Sequence, residues 1–256
     1  WVGVLLDHIL EEQPKGNSLG MGIWLIAPFI TGVLFRIFNR DWNYAGIKPF
    51  FKGNMKWYLI AFFIYPFVTL ITIVIALSLK CIDLSEFNIN NFILLAIASV
   101  VGGFIKNIFE EFSWRGYLTP KLIELKMKDW LIYLISGLVW SLWHAAYYMV
   151  FLPNEYFTTI SRTDMLLSGC MVMTAWTIMY VEVYRLTKSV WPCVLMHAVE
   201  DAVPTVLVTT GGFITLTKGS DIWLNPTSGF ISIAIFIAIG VALRSFRIKR
   251  ERIVKI

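Results

Sequence analysis

Residues 92–115 read FILLAIASVVGGFIKNIFEEFSWR, an otherwise apolar run closed by Glu110, Glu111 and Arg115. Moving an acidic side chain into hydrocarbon costs roughly 2.5 to 3.5 kcal/mol on insertion scales, so paired carboxylates at the end of a membrane-length segment point to function. On a helix, successive side chains lie about 100° apart, which sends Glu110 and Glu111 towards different partners and different roles. Glu111 and Arg115, four apart, share a face on which an ion pair can form. Glu110 is thereby left free for chemistry. A plainer reading pairs both acids with Lys106 and Arg115 at the lipid headgroups.

The composition agrees with a membrane segment. Of 256 residues, 57% are hydrophobic and 15% charged, and the mean hydropathy is +0.69. A soluble domain is roughly 45 to 50% apolar. The net charge of +5 fits basic loops between spans, so nucleic acid is discounted as a partner. Cys81, Cys170 and Cys193 have neither metal-type nor disulfide-framework spacing and read as small hydrophobes. No signal peptide is legible, and residues 1–10 read as the tail of an earlier span.

A span needs about 20 mostly apolar residues. The stretches 19–38, 57–78, 92–112, 130–151, 165–184, 190–210 and 228–246 qualify. This predicts an all-α, polytopic bundle of about seven to eight spans, with residues 1–256 as a single domain. Alternate connections are basic: Arg36, Arg40, Lys48, Lys52 and Lys56; Arg115, Lys121, Lys126 and Lys128; Arg185 and Lys188; and a tail with Arg244, Arg247, Lys249, Arg250, Arg252 and Lys255. The intervening connections, which begin with Glu11, Glu12 and Lys15, are poorer in cations. The positive-inside rule then makes the C-terminus cytoplasmic in a multi-pass cell-membrane protein. Trp42, Trp57, Trp130, Trp191 and Trp223 fall near span ends, where indole rings favour the headgroup layer. The Lys, Ile and Asn content reads as prokaryotic.

Two of the three histidines lie inside spans. His144 has Trp140 and Tyr148 four residues to either side, which predicts an aromatic box. His197 has Asp201 four residues on, a pairing expected to orient the imidazole. Helical rise puts Glu110 near the cytoplasmic end of its span, His197 on the order of 10 Å in and His144 roughly 15 to 20 Å in. The three are expected to converge on a polar intramembrane cavity open to the cytoplasm. His8, Glu182 and Glu200 read as bystanders.

At EExxxR (Glu110, Glu111, Arg115), an aromatic-x-x-x-His (Trp140, His144) and HxxxD (His197, Asp201), the chain resembles the CPBP or Abi group of intramembrane CAAX proteases and bacteriocin-processing enzymes, which includes the eukaryotic Ras-converting endopeptidase. The resemblance covers 92–208. It implies hydrolysis near a substrate's C-terminus by Glu110, Glu111, Arg115, His144, His197 and Asp201, with Trp140 and Tyr148 facing the substrate. In it Glu110 and His144 activate a water, while His197 and residue 201 steady the oxyanion. Two positions depart from the usual pattern. Trp140 stands where Phe is common, a change expected to reshape the pocket, and Asp201 stands where Asn is frequent.

Two histidines and a carboxylate would also suit a catalytic zinc, with Glu110, His144, His197 and Asp201 as ligands. No HExxH helix is present, and the favoured mechanism is metal-free, requiring no cofactor. The expected partners are the bilayer and a hydrophobic or lipid-anchored peptide. The rival readings are a catalytically silent immunity or peptide-binding protein on the same scaffold, and a proton-relaying transporter.

Overall fold

The computed structural model describes residues 1–10, 13–14, 16–157 and 160–253; Glu11, Glu12, Lys15 and Lys255, counted above among the loop charges, lie outside the described residues. Helix α1 is Val2–Ile9, α2 Leu19–Phe38, α3 Phe51–Ser78, α4 Ile89–Ser113, α5 Thr119–Glu124, α6 Asp129–Trp143, α7 Arg162–Thr187, α8 Trp191–Ala202, α9 Asp221–Leu224 and α10 Phe230–Ile253. Wider π-helical turns follow three of them, at Trp114–Leu118, Tyr147–Phe151 and Val206–Thr210. Among the described residues, seven helical stretches are long and apolar enough to cross a membrane. The polytopic helical bundle is borne out.

Local signals set the helix ends. Ser18 Oγ accepts from the Met21 amide to start α2, Asn88 Oδ1 accepts from Asn90 and Asn91 to start α4, and Ser161 Oγ accepts from Asp164 to start α7. Within α3, Gly53 at φ 91° breaks the first turn, so the straight part of the span begins beyond it, near the expected residue 57. The third span departs most from expectation. The helix does not end at 112 but runs on to Glu124 through the π turn. Hydropathy stops at Glu110, Glu111 and Arg115, whereas the bundle neutralises those charges internally and the helix continues.

Helix α7 is central, flanked closely by α6 and α10. A Cβ at Gly137 would come 2.5 Å from Thr174 Cα, and one at Gly240 2.5 Å from Ile178 Cγ2. Small residues at these crossings let the helices approach where lipid supplies no hydrophobic drive. Tyr65, Trp140, Tyr180 and Phe236 are fully buried in the core between them, while Leu94, Ile97, Val101 and Ile105 of α4 face outwards, as suits a lipid-exposed surface.

The basic connections gather at one end. Asp129 accepts from Arg185 Nη1 at 2.6 Å, Arg244 Nε at 2.7 Å and Arg247 Nη2 at 2.8 Å, while Glu182 accepts from Arg247 Nε and the Tyr133 hydroxyl, both at 2.5 Å. Arg36 donates to the Gly116 carbonyl at 2.5 Å, Asn54 to the Thr187 carbonyl at 2.9 Å, and Lys121 pairs with Asp41. At the opposite end the two-residue strands Ile82–Asp83 and Thr215–Leu216 pair antiparallel. This alternation is what the charge distribution anticipated.

Candidate active site

Helices α4 and α8 run antiparallel, with Trp191 stacked against Phe104 at 6.0 Å and edge-on to Phe112 at 5.5 Å. This brings the first and third motifs face to face. Glu111 is fully buried and holds two partners: Arg115 Nη1 lies 3.1 Å from Oε1 and 3.0 Å from Oε2, and His197 Nδ1 lies 2.9 Å from Oε1. Arg115 is itself sandwiched, its Cζ 4.4 Å from the Trp140 ring centre and 4.3 Å from that of Tyr180. A guanidinium with no exposure and aromatic rings on both faces is a structural cation, out of reach of a substrate carboxylate.

Glu110 faces another way. Trp140 Nε1 donates to its Oε2 at 3.0 Å, and Lys106 Nζ lies 3.7 Å from its Oε1. The Trp in place of Phe thus does more than reshape a pocket: its indole N–H fixes the carboxylate. His144 ends α6 and places Nδ1 2.9 Å from the Trp140 carbonyl. A carbonyl only accepts, so Nδ1 carries the proton and the neutral ring keeps its lone pair on Nε2. The same logic protonates Nδ1 of His197 against the Glu111 carboxylate. Tyr148 stacks on His144 at 5.5 Å, and Trp143 meets it edge-on at 4.7 Å, so the expected aromatic box is present and also includes Trp143. Trp140 lies 5.3 Å from His197, tying the second motif to the third.

Asp201 does not hold His197 by a hydrogen bond, as the spacing suggested. Its Oδ1 accepts from Lys106 Nζ at 3.1 Å and its Oδ2 from Asn107 Nδ2 at 2.8 Å, while Glu111 holds the imidazole. Glu200, read from sequence as a bystander, is buried beside them and accepts from Thr205 Oγ1 at 2.7 Å. Glu182 belongs to the ion cluster at the basic end. Lys106, Asn107 and Glu200 are the cluster members that sequence reasoning passed over. A signal was available: Gly103, Lys106, Asn107 and Glu110 share one face of α4.

Depth also differs from expectation. Glu110 hydrogen-bonds to Trp140, which lies three turns into α6 from Asp129, and it sits mid-way along a helix that continues to Glu124. Towards the basic end the cluster is sealed by Glu111, Arg115 and Tyr180. Its accessible members, Lys106 with a side chain 39% exposed, Asp201 at 21% and partly exposed His144, lie on the flank away from the basic loops. An opening towards the basic, cytoplasm-assigned end is not what these exposures give. Each motif helix also passes into a π turn, which already holds Arg115 of the first motif and follows the second and third by a few residues, a distortion frequent at functional sites.

The donor atoms that come within 4.8 Å of one another belong, among the described residues, to His197, Glu200 and Asp201, not to the set of Glu110, His144, His197 and Asp201 considered for zinc. An ammonium 3.1 Å from Asp201 and 3.7 Å from Glu110 would repel a dication placed between them. As arranged, the residues do not fit the four-ligand zinc reading.

A carboxylate and two oriented imidazoles enclosed by apolar spans give this multi-pass membrane protein a buried polar site. Residues 89–203 match the family model described as Rce1-like, type II CAAX prenyl endopeptidase. The match contains all three motifs, bears out the resemblance to the CPBP group over that stretch and points to CAAX-type intramembrane protease activity. None of the curated proteins compared with the chain matches it.

Proposed function

We propose that the protein is a metal-free intramembrane endopeptidase that hydrolyses a peptide bond near the C-terminus of a hydrophobic or lipid-anchored peptide. The observation that carries this reading is Glu110. One of its oxygens is fixed by the Trp140 indole at 3.0 Å, and the other lies 3.7 Å from the Lys106 ammonium, whose side chain is the more exposed of the two. Glu110 takes a proton from water as the water oxygen bonds to the scissile carbonyl carbon, and the carbonyl π pair moves onto oxygen. His144, with its Nε2 lone pair, assists in holding that water. When the oxyanion collapses, the C–N bond breaks and the proton passes to the departing nitrogen, releasing a carboxylic acid and an amine. Glu111 and Arg115 position His197, and Tyr148 and Trp140 shape the pocket around the substrate chain.

Entry from the bilayer's side suits a greasy peptide and the partial exposure of Lys106, His144 and Asp201. The basic loops support a cytoplasmic C-terminus.

The test is a proteoliposome assay of a peptide library, comparing the parent with Glu110→Ala and His144→Ala. Cleavage by the parent that is lost in both variants is expected. No cleavage by the parent would favour a silent peptide-binding or immunity protein, or a proton-relaying transporter.

A further inference from the structure

Resting on the peptidase reading, we propose that the Lys106 ammonium is the hydrogen-bond donor that meets the negative charge developing on the substrate's carbonyl oxygen, with Asp201 and Asn107 as its mount. A tetrahedral intermediate needs an N–H or O–H about 3 Å from its oxyanion. Asp201 stands where the motif frequently has Asn, and a carboxylate already accepting from Lys106 and Asn107 offers no donor. His197 spends its Nδ1 proton on Glu111, so donation from Nε2 requires a second proton on the ring. His144 spends its own on the Trp140 carbonyl, and the Trp140 indole is spent on Glu110. Arg115 is closed off between two rings.

Lys106 differs from all of these. Its ammonium has three N–H groups, one engaged by Asp201 at 3.1 Å, while Glu110 at 3.7 Å lies beyond a normal hydrogen bond. Its side chain is the most exposed of the charged groups in the cluster and stands beside the proposed base. The seat is built for this arrangement. A side chain at Gly103 would put its Cβ 2.9 Å from Asp201 Oδ2, so glycine one turn before Lys106 lets Asp201 reach α4. A lysine fixed at one end of its donor set and free at the other can offer an N–H to an oxyanion without reorganising.

The experiment separates a donor from a mere counter-charge. Parent, Lys106→Met, Lys106→Met with Asp201→Asn, and Lys106→Met with Asp201→Ala are reconstituted in proteoliposomes. Each is assayed for kcat and KM on carboxyl-terminated peptides with and without a lipidated cysteine, and melting in detergent is recorded for all. Lys106→Met is expected to lower kcat by about 100- to 1000-fold with little change in KM. Adding Asp201→Asn, which supplies an amide donor at the same place, restores much of it. Adding Asp201→Ala, which removes the orphaned charge but supplies no donor, does not.

Equal rescue by Asn and Ala, or an unimpaired Lys106→Met, overturns the proposal while leaving the peptidase reading intact. A parent that cleaves nothing overturns both. Should Lys106→Met fail to fold, the comparison of the two folded double variants decides alone: equal activity in the two sinks the idea.

Discussion

Glu111 Oε1 lies 2.9 Å from Nδ1 of His197, joining residues 86 positions apart, while the neighbouring Glu110 makes no such contact. Adjacent carboxylates therefore do different work, and their substitutions separate. Glu111→Gln strips the charge partner from the buried Arg115, and breaking a buried pair costs about 3–5 kcal/mol, so the variant melts well below the parent in detergent. Glu110→Gln keeps the pair intact and is expected to melt near the parent, yet to lose about 100-fold or more in kcat. Equal losses of stability in the two variants would contradict this division.

Arg115 carries a second expectation. Lysine would keep its charge but lose the planar stacking between Trp140 and Tyr180, worth about 2 kcal/mol when desolvated. Arg115→Lys should therefore lower the melting temperature while leaving KM for a peptide with a free carboxylate unchanged. A large rise in KM with unaltered melting would mean that the guanidinium meets the substrate after all.

The spans and the motif histidines were legible because both follow one-dimensional rules, membrane length for the first and helical spacing of four for the second. What stayed hidden depends on partners from other helices. Lys106 meets Asp201 95 positions away, and although it shares a face of α4 with Gly103, Asn107 and Glu110, that pattern does not distinguish an inward ammonium from one snorkelling to a headgroup. The same holds for the third span. Arg115 looked like a helix end because charges usually stop at the interface, and only the ring faces of Trp140 and Tyr180, together with Glu111, allow the helix to continue past it.

Trp140→Phe isolates the indole N–H. The ring body remains to pack against Arg115 and His197, but Glu110 loses a hydrogen bond to a charged group, worth about 1.5–3 kcal/mol. The expected result is a kcat reduced by about tenfold to a hundredfold with modest loss of stability. Rates equal to the parent would show that the Glu110 carboxylate needs no such anchor.

Arg247→Met tests the ion cluster at the basic end. Glu182 has no exposure and would keep only the Tyr133 hydroxyl, so stability should fall by about 3–5 kcal/mol. The specific activity of the molecules that remain folded, measured below the melting transition, should match the parent, since this cluster lies at the far end of α6 from His144. A drop in kcat without a drop in melting temperature would instead tie this end of the bundle to the chemistry.

Metal dependence supplies the last test, because two arrangements of the same side chains predict opposite results. Were zinc the source of the nucleophile, a strong chelator would abolish cleavage, and equimolar zinc would restore it. With Lys106 already 3.1 Å from Asp201 and 3.7 Å from Glu110, a dication would have to displace an ammonium and overcome its repulsion. Cleavage in metal-free detergent should thus persist in the presence of chelator. Removing the lysine charge inverts the balance: Lys106→Met leaves His197, Glu200 and Asp201 with donor atoms within 4.8 Å of one another and no internal cation beside them. That variant is expected to take up a divalent ion, detectable as bound metal per protein after dialysis, where the parent takes up none. Stoichiometric zinc in the parent, together with chelator-sensitive activity, would hand the water-activating role to the metal.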